Sequence, residues 1–269
     1  KELSYTFEYN DLRSLAEVLD EDVACVLLEP VTFDAPAEGF LQGLRELCSS
    51  RGALLVFDEM WTGFRIALGG AQAHFGVRAD LVTFSKAIAN GMPLSVLTGR
   101  REVMRLLDRD VFFFSTFGGE ALSLAAAKAT MTKLQSQRVP EPIARLNQRL
   151  IDEVAQITGE LAIPYVRVSG LPYRTQLVFD PGAADALLQK SFVQQELLRR
   201  GVLWNGFHNF ALAHSDDDVD YLLECYRDIF KMLRDAVESR ALSARLRGEK
   251  LEPVFRRTSK FHTRPKDPC

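Results

Sequence analysis

Apolar residues recur along this chain at two spacings, and the way the spacings alternate predicts the architecture. Behind Asn10 and Asp11, the residues Leu12, Leu15, Ala16 and Leu19 fall at helical intervals, so residues 10–19 read as a capped surface helix. Residues 23–30, VACVLLEP, form a continuous apolar run closed by a proline, the pattern of a strand buried on both faces. A helix over residues 39–50 follows, broken by Gly52, and then a second buried strand, ALLVFDE at 53–59. A third, ADLVTFSK, spans 79–86 and ends on Ser85 and Lys86. Strand, helix and strand at this rhythm predict parallel βαβ units.

The pattern changes at residue 115. STFGGEALSLAAAKATMTKLQ opens on Gly118 and Gly119 and continues as an Ala- and Leu-rich helix to about Gln135. Arg138 to Pro142, with two prolines in a polar stretch, is the expected linker. A helix from about Ile143 to Thr158 and two short strands, YVRVSG and TQLVFD, then point to a smaller α+β domain. Residues 215–233 carry a Ser cap, an acidic first turn and apolar positions at helical spacing, which predicts a docked terminal helix. The expected organisation is a large α/β domain over 1–139, a small domain over 140–240, and a basic, irregular tail over 241–269.

Composition narrows the possibilities without naming one. The 269 residues are 47% hydrophobic and 26% charged, as in ordinary globular proteins. A net charge of -3 gives no support to a nucleic-acid partner, and no apolar run reaches membrane-spanning length. Cys25, Cys48, Cys225 and Cys269 lie far apart without ligand spacing, so reduced thiols of a cytoplasmic protein are expected. The opening residue is Lys1, which suggests a chain excerpted from a longer protein.

Candidate chemistry begins at the strand ends. Ligands of open α/β sheets collect beyond the carboxyl ends of the strands, where Asp58 and Lys86 are expected to stand. An ion pair between the two, with no ligand, satisfies the same pattern. Pyridoxal phosphate chemistry also calls for it: a lysine amine to hold the aldehyde, and an aspartate on a neighbouring strand to keep the ring nitrogen protonated. A phospho-receiver domain likewise places an Asp and a Lys at strand ends, but it needs an upstream acidic pair that the surface helix does not offer.

Residues 54–100, from LLVFDEMWTGFR through GGAQ to SKAIANGMPLSVLTGR, resemble the cofactor region of class III, fold type I, pyridoxal-phosphate aminotransferases, in particular the glutamate-1-semialdehyde aminomutase branch. Glu29 with Pro30, the NDLRSLAEVL helix and STFGGEALSLAAA extend the similarity over about residues 7–240. The resemblance implies a mainly parallel sheet with flanking helices, cut at its N-terminal side, plus a smaller α+β domain. It makes Lys86 the Schiff-base lysine and proton shuttle, Asp58 the partner of the pyridine nitrogen, and Met60 the residue packed on the ring face. Thr116 takes the place of a threonine that reaches the phosphate in a neighbouring subunit, so a homodimer with shared sites is implied. Capping of the following helix is a second reading of Thr116. The implied cofactor is pyridoxal 5'-phosphate, and the implied partners are a small-molecule amino donor and a carbonyl acceptor.

Three activities are compatible with this resemblance: general transamination, intramolecular amino transfer on glutamate semialdehyde, and an inactive fragment that keeps the fold. The family's Gly/Ser phosphate loop and ring-stacking aromatic are expected upstream of Lys1. Glu59 and Glu29 read as strand-end organisers, and Trp61 and Phe64 as packing or channel lining. Asn205, His208 and Asn209 are candidate substrate contacts, and His208 with His214 lacks a third ligand for a metal. Arg65, Arg100, Arg167 and Arg174 are candidates for a substrate carboxylate that the sequence does not rank.

Overall fold

The computed structural model describes residues 3–252, so the part of the expected tail beyond residue 252 lies outside the described residues. Two compact units divide between Pro140 and Glu141. The first begins with α1 (Leu12–Val18), whose cap is Asp11: its carboxylate accepts the Arg13 and Ser14 N–H groups. Asn10 instead sits at φ 65 and ties Ala35 and Ala37 through its amide.

Three strands then run parallel: β1 (Cys25–Leu28), β2 (Leu54–Asp58) and β3 (Leu81–Phe84), with α2 (Phe40–Arg51) between the first two and α3 (Gly70–Phe75) between the second and third. A fourth strand, β4 (Val96–Gly99), was not apparent in the apolar pattern and closes the edge antiparallel to β3. β1 is the other edge, and it corrects the expectation of two buried faces. Val26 and Leu28 are buried, whereas Cys25 is exposed and Leu27 is 61% exposed. On this edge strand only alternate residues lie inside, whereas in β2 Leu55, Val56 and Phe57 are all buried. Leu15, Leu41, Leu44, Cys48, Leu55, Phe57 and Val82 form the core beneath this sheet.

Asp80 fixes where β3 starts. Its carboxylate accepts the Leu55 N–H at 2.7 Å and pairs with Arg45 at 2.6 Å and Arg100 at 3.1 Å, so residues from α2, β2 and the end of β4 converge on one anion. Burial alone raises its pKa, but these donors outweigh burial and hold it below the usual carboxylate value. After α4 (Arg101–Met104), the Ala-rich helix is α5 (Ala121–Ser136), capped by Glu120 rather than by Thr116.

The expected linker contains the division between the two units, but most of it is helical. The chain breaks only at Gln137–Val139, with Arg138 at φ 49, and α6 (Pro140–Glu160) starts on the first proline. The first helical turn tolerates proline because its N–H groups have no intrahelical acceptor to lose. The second unit continues as the antiparallel strands β5 (Val166–Leu171) and β6 (Arg174–Phe179), α7 (Ala186–Arg199), β7 (Phe207–His208) paired to β6, and α8 (Asp216–Glu238). Ser215 and Asp218 cap α8 reciprocally, and Tyr226, Ile229, Phe230 and Leu233 bury its inner face.

Candidate active site

Phe57 buries the last turn of the β2 backbone in the core, so the strand delivers Asp58 to the carboxyl end of the sheet, half-buried. Asp58 is paired in register with Thr83 of the neighbouring parallel strand. Its Oδ1 accepts the Met60 N–H at 2.9 Å and the Thr83 hydroxyl at 3.3 Å. Its Oδ2 has no protein donor among the described residues. One oxygen is thus anchored and the other is available.

β3 ends at Phe84, and two residues later Lys86 opens a short 3-10 turn, Lys86–Ile88, at the same end of the sheet. Lys86 is exposed and has φ 46, a left-handed backbone that costs a non-glycine residue about 1 kcal/mol or more. The Asn90 N–H donates to the Lys86 carbonyl at 3.1 Å, and the turn packs on α5 through Ile88, Ala89 and Ala127. Just before it, the Ser85 hydroxyl donates to the Leu94 carbonyl at 2.9 Å and receives the Ser95 hydroxyl at 3.1 Å. No ion pair joins Asp58 to Lys86 among the described residues.

The backbone N–H of Met60 ties it to Asp58, and its side chain is half-buried. Glu59, between them, turns inward and is fully buried. Its carboxylate accepts the Ala71 N–H at 2.5 Å, the Gln72 N–H at 3.1 Å and the Thr62 hydroxyl at 2.9 Å. Burial raises its pKa against the lowering effect of these donors. Gly70 sits at φ 70 directly against this carboxylate, where any side chain would collide with Glu59. Glu59 therefore locks the loop after β2 and is not offered to a ligand. Glu29 accepts the Trp61 indole N–H at 2.8 Å, a packing contact of the same loop.

Thr116 stands in an exposed turn ahead of α5, with no hydrogen bond to Asp58, Met60 or Lys86 among the described residues. His208 contradicts its reading as a substrate contact. It is buried in the second unit, with Nδ1 at 2.9 Å from the Thr175 hydroxyl and Nε2 at 2.6 Å from the Tyr226 hydroxyl. Burial lowers its pKa to about 3, so it is neutral. Asn205 and Asn209 are exposed, and His214 accepts the Ala211 N–H at 3.0 Å.

Thr83 and the Ser85–Ser95 pair escaped the sequence reading. Thr83 becomes visible only once β2 and β3 are set in register, and Ser95 only once β4 folds back beside β3.

A three-strand parallel run with an aspartate and a lysine at adjacent carboxyl ends is an open α/β arrangement compatible with a pyridoxal-phosphate transferase. The comparisons narrow it. The aminotransferase class-III family model matches residues 3–222, and the chain belongs to that family. It is 34% identical over 237 residues to the 3-aminobutyryl-CoA aminotransferase of Cloacimonas acidaminovorans, covering 83% of this chain and 57% of that one. It is also 34% identical over 247 residues to the glutamate-1-semialdehyde 2,1-aminomutase of Syntrophobacter fumaroxidans, covering 84% and 57%. The PLP internal aldimine form of the FumI protein of Sphingopyxis sp. MTA144 superposes with a TM-score of 0.79 at 26% identity, over 87% of this chain and 58% of that one. The fold is that of the type I transaminases, and the chain spans a little over half the length of the relatives it matches.

The family is pyridoxal-phosphate dependent, and the donor set here fits that group at two positions. Asp58 Oδ2 suits a protonated ring nitrogen, and Lys86 Nζ suits an aldehyde.

Proposed function

We propose that this chain carries the lysine-bearing part of a pyridoxal-phosphate aminotransferase acting on a small-molecule amino donor and a carbonyl acceptor. The observation that carries this reading is the placement of Asp58 and Lys86 at the carboxyl ends of adjacent parallel strands, each with a polar atom uncommitted among the described residues. When bound, the cofactor supplies an electron sink for negative charge at the substrate carbon that bears the amino group.

Asp58 Oδ2 would accept a hydrogen bond from the protonated ring nitrogen of the cofactor and hold that proton by charge pairing. Because Oδ1 is already held by Met60 and Thr83, the carboxylate is oriented before any ligand arrives. Lys86 Nζ would hold the cofactor through its aldehyde, and as a free amine it would take and return the proton that moves during amino transfer. Met60 would lie against the cofactor ring, a contact that a flexible, polarisable side chain suits. Donor and acceptor use one lysine in turn, which predicts ping-pong kinetics.

Residues 1–139 belong in this reading to the cofactor domain and 140–240 to the small domain. Thr116 reaches the phosphate held by a second copy, making the protein a homodimer with shared sites. The exposed aromatic side chains flanking Thr116 support this assignment. We assign it to the cytoplasm, in keeping with free thiols at Cys25, Cys48 and Cys225. Among the described residues, no helix is long and apolar enough to cross a membrane.

Intramolecular amino transfer on glutamate 1-semialdehyde is the second reading, since relatives of both names match at the same 34% identity. Borohydride reduction of the cofactor-loaded protein, followed by peptide mapping, tests the shared chemistry. A pyridoxyl label on the peptide containing Lys86 is expected; label elsewhere rejects the Lys86 assignment, and no label leaves an inactive fold.

A further inference from the structure

Lys86 is poorly suited to its own backbone conformation. Lys86 and Asn90, in one loop, both hold left-handed φ values, 46 and 44. Asparagine tolerates that region because its short amide can bond locally, whereas lysine keeps it only where the surroundings enforce it. The enforcement comes from the two ends of the loop. β3 and β4 pair antiparallel as far as Phe84 opposite Val96, so Ser85 and Ser95 stand opposite each other one step beyond the last backbone pair. There the strands part, and the two hydroxyls continue the pairing.

A carbonyl can only accept, so the Ser85 hydroxyl gives its one proton to the Leu94 carbonyl at 2.9 Å. The Ser95 hydroxyl is then the donor in the 3.1 Å contact between the two serines. Ser85 is thus tied to two consecutive residues leading into β4, and residues 86–94 form a loop closed at its neck by side chains. Inside the loop, the Ile88 N–H donates to the Ser85 carbonyl at 3.1 Å, the Asn90 N–H to that of Lys86 at 3.1 Å and the Met92 N–H to that of Ala89 at 3.2 Å. Ile88 and Ala89 pack with Ala127 of α5. That packing fixes the middle of the loop, whereas the neck fixes the residue immediately before Lys86.

We infer that Ser85 and Ser95 are positioning residues, whose hydroxyl staple holds Lys86 in its left-handed conformation and so fixes where its amine reaches. The Lys86 side chain is exposed, which leaves the backbone to aim it. A loop released at its neck has to be ordered again each time the amine is tied to a partner, and that ordering costs entropy. That the partner is an aldehyde rests on the aminotransferase reading; the existence of the staple does not.

The test compares the intact chain with its Ser85→Ala, Ser95→Ala and Ser85→Thr variants. Amide hydrogen exchange is followed by mass spectrometry over residues 85–95 without cofactor, with β2 as the internal reference. Ser85→Ala loses both hydroxyl contacts, so exchange in the loop is expected to rise about ten-fold or more, the scale of losing two modest hydrogen bonds. A smaller rise is expected in Ser95→Ala, and a return to the original rate in Ser85→Thr, which keeps the hydroxyl; β2 stays unchanged in all three. Pyridoxal phosphate is then titrated and trapped by borohydride. Half-labelling of Lys86 is expected to need about ten times more cofactor or beyond in Ser85→Ala, and the original concentration in Ser85→Thr. Loop exchange that is unaltered in Ser85→Ala, or not restored by Ser85→Thr, would overturn the staple. Faster exchange with undiminished labelling would overturn the positioning role. If β2 loosens in Ser85→Ala, the exposed Ser95→Ala decides on the same two readings. A chain whose loop depends on the hydroxyls but takes no label at Lys86 keeps the staple and loses the aminotransferase reading.

Discussion

Asp58 and Lys86 were legible in the sequence because each interrupts or closes an apolar run, and a charge placed there must either face a ligand or be paired. Their environment was not legible. The oxygen that anchors Asp58 is fixed by Thr83, a residue 25 positions away that strand register brings alongside. The neighbouring Glu59 looks equally available in the sequence, yet three donors and the bare Gly70 backbone claim it for the loop. These two adjacent carboxylates make a sharp comparison. Asp58→Asn keeps the Met60 contact through its amide oxygen but can no longer hold a charged ring N–H. Turnover is expected to fall about a hundred-fold or more, the scale of losing one oriented electrostatic partner, while cofactor binding survives in part. Steady-state kinetics beside cofactor absorbance separate these effects, and near-normal turnover would remove Asp58 from its role.

At the scale of elements, the helices with strong local signals appeared where they were expected. α1 is capped by Asp11 and α8 by Ser215, both readable because a cap acts within three residues. Most of the misreadings involve partners distant in sequence. β1 lost one buried face because its place at the sheet edge is a tertiary fact, and Pro140 opened a helix where local composition suggested a linker. His208 shows the same limit: in sequence it stands between Phe207 and Asn209 with no sign of a partner, but β7 pairing turns it inward between Thr175 on β6 and Tyr226 on α8. That burial has a pH signature. The native imidazole titrates at about 3, against about 6.5 when unfolded. Between those values the unfolded chain binds a proton that the native state does not. The stabilisation is therefore fully present above about pH 6.5 and is lost as pH falls, at no more than about 1.4 kcal/mol per pH unit. Urea unfolding at pH 7.5, 6 and 5 is expected to show this slope. His208→Gln lowers stability at pH 7.5 and flattens that part of the slope; an unflattened slope would assign the acid sensitivity to other groups.

For the whole molecule, the decisive feature is a surface that the sequence pattern disguises. Consecutive aromatic residues ordinarily signal a core, but Phe112, Phe113, Phe114 and Phe117 are 93%, 68%, 73% and 70% exposed, and Leu122 and Leu124 of α5 continue the same apolar stretch. Phe112 and Phe114 stack on each other at 6.4 Å while facing solvent. Contiguous exposed apolar surface of this kind marks an interface, and the proposed homodimer gives it an occupant, a second copy bringing its own Thr116 turn. Covering one phenylalanine side chain contributes about 2 kcal/mol, so replacing two in each of the two copies removes up to about 8 kcal/mol of association energy, on the order of a million-fold in the dissociation constant. Sedimentation velocity over a concentration series is expected to show a dimer for the unaltered chain and a monomer for Phe112→Ser with Phe114→Ser at the same concentrations. Both residues are exposed in the single chain, so the variant is expected to keep its fold, which circular dichroism verifies. A dimer that survives the double substitution in a folded protein would place the subunit contact elsewhere and take Thr116 out of the shared site.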